Sequence, residues 1–140
     1  MPDDSQRPIL GMLMNPKTAD LILNTVLGAE RNPTIEAALR AKPELHQLLR
    51  YAAEGFNYLI DAAEQAGIAA YYFVLRDVDP EQRTVYAWVR ELGQWVRRPV
   101  PWPDVFYDQS KQVSMGRETQ ALHAFYATSI PINSVRTLGK

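Results

Sequence analysis

A long amphipathic segment that runs directly into an apolar one is the feature that most restricts the fold. Across residues 43–66, apolar side chains recur at steps of three and four, which predicts one helix. Gly67 is placed to end that helix, and residues 68–75 follow at once. This second segment is apolar on both alternating faces, as expected of a central strand covered on both sides. With an apolar run at residues 9–14 as the preceding strand, the chain is predicted to form a right-handed βαβ unit.

The apolar stripe of the long helix is broad, and a stripe of this kind is expected to face the core. Its members are Leu45, Leu48, Leu49, Ala52, Phe56, Leu59, Ile60 and Ala63. Gly11, inside the first apolar run, predicts a close approach of the backbone to another part of the chain.

The remaining patterns place further elements around this unit. They predict short helices at residues 18–27 and 33–41, a β-hairpin at 84–98, a stiff proline bridge at 99–103, a buried strand at 104–108, a helix at 118–129 and a last strand at 130–133. The chain is therefore predicted to be an α/β protein with a mostly parallel sheet of about four strands plus a β-hairpin. Residues 9–140 are predicted to form one domain, and residues 1–8 a disordered tail.

Composition excludes several classes of function. The net charge of −1 provides no positive field for nucleic acid, and no apolar run is long enough to span a bilayer. The chain has no cysteine, which rules out disulfides, thiolate metal sites and thiol nucleophiles. Its first residues are acidic and polar, unlike a signal peptide. We therefore predict a cytoplasmic protein that binds neither nucleic acid nor membranes.

No catalytic signature is present in the sequence. Phosphate-binding glycine loops, nucleophile elbows and zinc-protease motifs are all missing. His46 and His123 are isolated histidines on predicted helices, and metal sites need clustered ligands. The prediction from the residues is that this chain contains no catalytic residues and no metal site.

Four polar residues lie at or just past the carboxyl ends of predicted strands: Asn15, Asp77, Asp108 and Asn133. Parallel strands would bring them to one edge of the sheet, and open α/β sheets bind ligands outside the carboxyl ends of their strands. We therefore predict that they are candidates for substrate binding. The alternative is that asparagine and aspartate are common at strand ends because they suit turns.

The hairpin and the proline bridge combine two tryptophans with two arginines: Trp95, Arg97, Arg98 and Trp102. Such a set is a candidate interaction surface, for an anionic or aromatic ligand or for another protein. The alternative is a solvated hairpin whose tryptophans pack on the sheet, and we favour this interpretation.

The order of these segments resembles the amino-terminal part of the spore-coat-associated ATP-grasp proteins of the YheC/YheD type. The similarity covers roughly residues 9–140, and the PDVxYD pattern is its most specific part. It rests on FNYLIDAAEQAG at 56–67, RDV at 76–78, WVRR at 95–98, PWPDVFYD at 101–108, IPIN at 130–133 and LGK at 138–140. The insertion at residues 16–42 matches loosely.

The resemblance implies a small Rossmann-like, three-layer pre-ATP-grasp domain. In that family the amino-terminal lobe helps to shape the substrate side of a cleft, and a following ATP-grasp domain binds ATP and Mg²⁺ and activates a carboxylate for attack by an amine. That domain is expected downstream of Lys140, so this chain is expected to hold no cofactor and to be inactive alone. The resemblance also implies that the whole protein is cytoplasmic and spore-associated.

Two alternatives remain open at this point. A stand-alone binding or structural module of the spore layer would act through protein contacts or homo-oligomers. A flavodoxin-like small-ligand domain is weaker, because Asn15-Pro16-Lys17-Thr18 has no glycine run and Pro16 lacks a backbone N–H donor for a phosphate.

Overall fold

The computed structural model describes residues 7–109 and 117–132 of the 140. Strands and helices alternate along this part of the chain. The strands are β1 (Ile9–Leu13), β2 (Ala69–Phe73), β3 (Val78–Asp79), β4 (Thr84–Glu91), β5 (Gln94–Pro101), β6 (Val105–Asp108) and β7 (Ile130–Ile132), and the helices are α1 (Pro16–Ala19), α2 (Pro33–Arg40), α3 (Pro43–Gln65) and α4 (Arg117–Thr128). A π-helix, Asp20–Val26, continues α1, and a 3₁₀ turn, Leu75–Asp77, separates β2 from β3.

The mixed α/β class predicted from the sequence is confirmed. One predicted helix begins earlier than expected, at Pro16 rather than Thr18. The reason is local: the Asn15 side chain accepts a hydrogen bond from the Lys17 backbone N–H at 3.0 Å, and proline suits the first helical position.

The seven strands form one sheet that is partly parallel. The order is β3-β4-β2-β1-β6-β7, and β5 pairs with β4 outside this path. The strands β2, β1, β6 and β7 run parallel to one another. The hairpin β4–β5 joins this group antiparallel to β2, through the single pair Tyr72 and Trp88. Four parallel strand ends therefore lie at one edge of the sheet.

Alternating residues of the central strands contribute to two separate core clusters. Leu13, Phe73 and Phe106 belong to one cluster, which includes Phe125 of α4. The other cluster contains Met12, Tyr72, Val74 and Trp88, together with Ile60 of α3 and Leu23 of the π-helix. Neighbouring residues of a strand point to opposite faces, and α4 contributes to one cluster while α3 and the π-helix contribute to the other.

Gly11 makes the close approach that its position in β1 predicts. A Cβ atom at this residue would lie 3.0 Å from the Phe73 ring, 3.1 Å from Pro103 and 3.2 Å from the Tyr71 ring. Such distances are too short for a side chain without displacement of these neighbours. The glycine therefore lets two aromatic rings and a proline pack directly over the backbone of β1.

The long helix differs from its prediction in one respect. Only part of its apolar stripe is inward: Ile60 and Ala63 are buried, whereas Leu48 is 65% exposed, and Ala53, which the stripe did not include, is buried as well. The difference follows from which side of the helix faces the sheet, since Leu59 is 40% exposed although its neighbour Ile60 is buried.

Two buried tyrosines make the stability of the fold sensitive to alkaline pH. Burial raises the pKa of Tyr71 well above its ordinary value, and the charge of Asp104 adds to the shift. Burial also raises the pKa of Tyr72, against an opposing effect of Arg90. The phenols donate hydrogen bonds to the carbonyl oxygens of Pro101 and Phe56.

We expect the free energy of unfolding to fall steeply above about pH 10, the ordinary tyrosine pKa. Above that pH the tyrosines of the unfolded chain lose protons that the folded chain keeps. The free energy of unfolding then falls by up to about 1.4 kcal/mol per pH unit for each tyrosine. Urea unfolding between pH 8 and pH 11 measures the slope. The slope should flatten in a Tyr71→Phe/Tyr72→Phe variant and persist in a Tyr51→Phe/Tyr58→Phe variant, whose positions are exposed. Equal slopes in both variants would contradict the assignment.

Candidate functional site

The structure brings the sequence-predicted residues of the first three parallel strands to one edge of the sheet. The ladder pairs Leu13 of β1 with Phe73 of β2 and with Asp108 of β6. Asn15 lies two residues beyond Leu13, and Asp77 lies four residues beyond Phe73. Asn133, the fourth candidate, lies outside the described residues.

Asn15 and Asp108 are both partly buried at this edge. The side-chain oxygen of Asn15 is used to cap α1, so it holds the start of that helix against the strand end. Asp108 closes β6, and the following residue, Gln109, donates its backbone N–H to the Leu13 carbonyl at 2.8 Å. The backbone around Asp108 is therefore held in the sheet, which fixes the point from which its side chain extends.

Asp77 is bound to an arginine of the hairpin. Its carboxylate accepts a hydrogen bond from Arg97 at 2.7 Å and lies 3.8 Å from Arg76. The Asp77 side chain is 19% exposed and the Arg97 side chain only 8%. A largely buried ion pair requires further hydrogen bonds, because both charges are removed from water.

Aromatic rings and backbone supply the rest of the environment of Arg97. Its guanidinium carbon lies 3.9 Å from the centre of the Trp88 ring and 4.5 Å from that of Tyr86. It also donates to the Tyr86 carbonyl at 2.9 Å. Its Nε is buried and has no hydrogen-bond partner among the described residues. The side chain is thus held in one orientation by stacking and by two hydrogen bonds of the same terminal nitrogen.

Further charges extend this pair into a row that alternates in sign. Arg76 makes a bidentate contact with Asp20 of the π-helix, at 2.6 and 3.1 Å. Arg97 lies 3.8 Å from Glu30, just after the same helix. Trp88 donates to Asn24 at 2.6 Å. The row therefore connects the π-helix to the hairpin beside the carboxyl edge.

Of the other residues of the candidate interaction surface, two are buried or partly buried and one is exposed. Trp95 is 6% exposed and donates to Asn57 at 2.9 Å. Trp102 stacks on Phe125 at 4.2 Å. Arg98 is exposed and pairs with Glu91 at 2.8 Å. The described contacts thus leave Arg98 as the most accessible member of the predicted set.

Sequence reasoning missed that Trp88 and Tyr86 enclose Arg97. The signal in the sequence was Gly93, because a glycine between two β-rich runs favours a tight turn. Leu92 and Gly93 both have positive φ, 52° and 77°, as in the two-residue type I′ turns that join tightly paired strands. A two-residue turn at this position places Trp88 opposite Arg97, which is the register observed.

A cavity of about 360 Å³ lies between the amino end of β2 and the end of β4. It forms because the two strands pair only at Tyr72 and Trp88 and separate beyond that point. Apolar residues of both strands line it together with Arg7, Arg90 and Arg98, and the acids Glu64 and Glu91. None of the three described strand-end candidates lines this cavity.

Within residues 7–109 and 117–132 no group of three histidine or acidic side chains could hold a metal ion. Over the same residues, no helix has the length and apolar character needed to cross a membrane. Comparisons of the chain with models of protein families, with curated proteins and with solved structures found no match.

Proposed function

We propose that this chain is the substrate-side lobe of an ATP-grasp ligase-like, spore-associated cytoplasmic protein. In this proposal the elements form a small Rossmann-like, three-layer domain that acts together with a separate ATP-grasp domain. In this proposal ATP and Mg²⁺ bind to that separate domain and not to this chain.

One observation carries the proposal: Asn15, Asp77 and Asp108 lie at the same edge of a parallel group of strands. Ligands of open α/β sheets bind outside this edge. The carboxylate of Asp108 would accept hydrogen bonds from a substrate amine, which is the kind of nucleophile that carboxylate–amine ligation requires. Asp77 would act differently, as a positioning residue that holds Arg97 and the hairpin beside the edge.

A nuclear magnetic resonance titration tests this assignment on the ¹⁵N-labelled chain. Amino acids and short peptides with a free amine should shift the backbone amides of Asn15, Asp77 and Asp108 together, while Mg²⁺–ATP should not be hydrolysed. Asp108→Asn should weaken the binding by about tenfold or more, because a charged hydrogen bond is lost. Glu81→Gln, at an exposed turn, is the control and should change nothing.

Two results would contradict the proposal. One is a set of shifted amides away from this edge, for example around Ala70 and Arg90 at the cavity. The other is ATP hydrolysis by the chain alone.

A further inference from the structure

One side of α3 presents a continuous apolar stripe to solvent. Its large members are Leu45, Leu48, Tyr51, Tyr58 and Leu59, which are 42%, 65%, 74%, 71% and 40% exposed, and its small members, also exposed, are Ala52, Gly55 and Ala62. Steps of three, four and seven residues keep these positions on one side of a helix. Glu44, in the first turn of the helix, lies on the same side, and Glu54 and Asp61 lie beside the stripe.

The stripe is in the size range of the largest apolar patch on a typical monomer, and such patches are often functional. From their exposed fractions, the five large side chains present roughly 500 Å² of mostly apolar surface. Two such surfaces would bury about 1,000 Å² or more, which approaches the lower limit of stable specific interfaces. The stripe is therefore large enough to bind a second copy of itself.

Gly55 lies in the middle of the stripe, and the packing of the described residues does not require a glycine there. A Cβ atom added there would meet nothing within 4 Å. An interior glycine weakens a helix relative to alanine, so its presence at an exposed, uncrowded position needs another reason. Close approach of a second helix is such a reason, because a glycine lets two helix backbones come closer together than a residue with a side chain does.

We infer that two copies of this chain pack their α3 helices antiparallel across a two-fold axis at Gly55. In this arrangement the numbers of two facing residues, one from each copy, add up to 110. Tyr58 then faces the partner's Ala52, Leu48 faces the partner's Ala62, and Tyr51 faces the partner's Leu59.

This pairing is self-complementary, as a two-fold interface requires. Two of its three pairs place a large side chain against alanine, so that neighbouring side chains interdigitate. An arbitrary partner would not match the stripe in this way, so we assign a second copy of this chain as the partner that covers it. The inference goes beyond the proposed lobe function and does not depend on it.

Sedimentation velocity of the full chain from about 5 to 500 µM tests the association. We expect dimers with a dissociation constant in the micromolar range, as suits an interface of this size. Tyr58→Glu should weaken the dimer by at least about 30-fold, the effect of removing a central contact residue. Gln82→Glu introduces the same charge at an exposed turn outside α3 and should leave the dimer unchanged.

A second experiment tests the geometry. The natural chain has no cysteine, so Gly55→Cys introduces a single thiol at the two-fold axis. Mild oxidation should link the two copies rapidly, because a disulfide needs its Cα atoms within about 7 Å. Gln47→Cys is the matched control and should be linked much more slowly.

The outcomes are decisive. Concentration-dependent dimers that Tyr58→Glu disrupts, with selective linkage at position 55, support the inference. A monomer at every concentration overturns it, as does a dimer that Tyr58→Glu leaves intact or equal linkage at positions 47 and 55. The ligand titration described above is unaffected by any of these results, so either proposal can fail alone.

Discussion

Phe106→Ala is expected to lower the free energy of unfolding by about 3–5 kcal/mol, because it removes a fully buried ring and leaves a cavity. Phe106 lies on β6, between β1 and β7, where the space cannot easily collapse. Its ring centre is 5.6 Å from that of Phe125 and 5.0 Å from that of Tyr126, so the core contact with α4 would be lost as well. Urea unfolding at neutral pH measures the change.

Asp108→Ala, two residues along the same strand, is the comparison. Its side chain lies at the partly exposed edge, and we expect a loss of at most about 1 kcal/mol. Equal losses in the two variants would mean that Asp108 has a structural role, and the proposed ligand site would lose its best candidate.

Asp77→Ala is expected to destabilise the fold by about 2–3 kcal/mol, because it leaves the guanidinium of Arg97 buried without a carboxylate. We place the effect below that of a completely buried pair since Asp77 is 19% exposed. Arg97→Met in the Asp77→Ala background should restore part of the loss, because it removes the uncompensated charge and keeps a long apolar side chain on Trp88.

Glu91→Ala is the matched control, since Glu91 and Arg98 form another arginine–carboxylate pair of the same hairpin. Both side chains of that pair are about half exposed, so its loss should cost no more than about 0.5 kcal/mol. Similar costs for Asp77→Ala and Glu91→Ala would show that the burial of Arg97 contributes little to stability.

Local patterns in the sequence predicted the elements of the fold well. The helix ending before Gly67, the apolar strand after it, the hairpin and the strand ending on Asp108 are each determined by a short stretch of chain. Periodicity, turn residues and capping act over a few residues, which is why these features can be read without the tertiary structure. The close approach at Gly11 was also predictable, because a glycine inside an apolar strand usually has this cause.

The candidate site was predictable only in part. The placement of Asn15, Asp77 and Asp108 at one edge follows from the parallel direction of their strands. That Asp77 is bound to Arg97 does not follow, because the two residues are 20 positions apart and meet only through the bend after β2 and the register of the hairpin. The same register turns Arg97, predicted to be solvated, into a buried side chain stacked on Trp88.

The long helix shows both what local sequence determines and what depends on tertiary packing. Its periodicity determined that residues 43–66 are helical and that many apolar side chains share one side. Which of them are buried depends on which side of the helix faces the sheet beneath, and this is set by residues far away along the chain. Only the tertiary structure therefore decided that Ile60 packs in the core while Leu48, Tyr51 and Tyr58 remain at the surface.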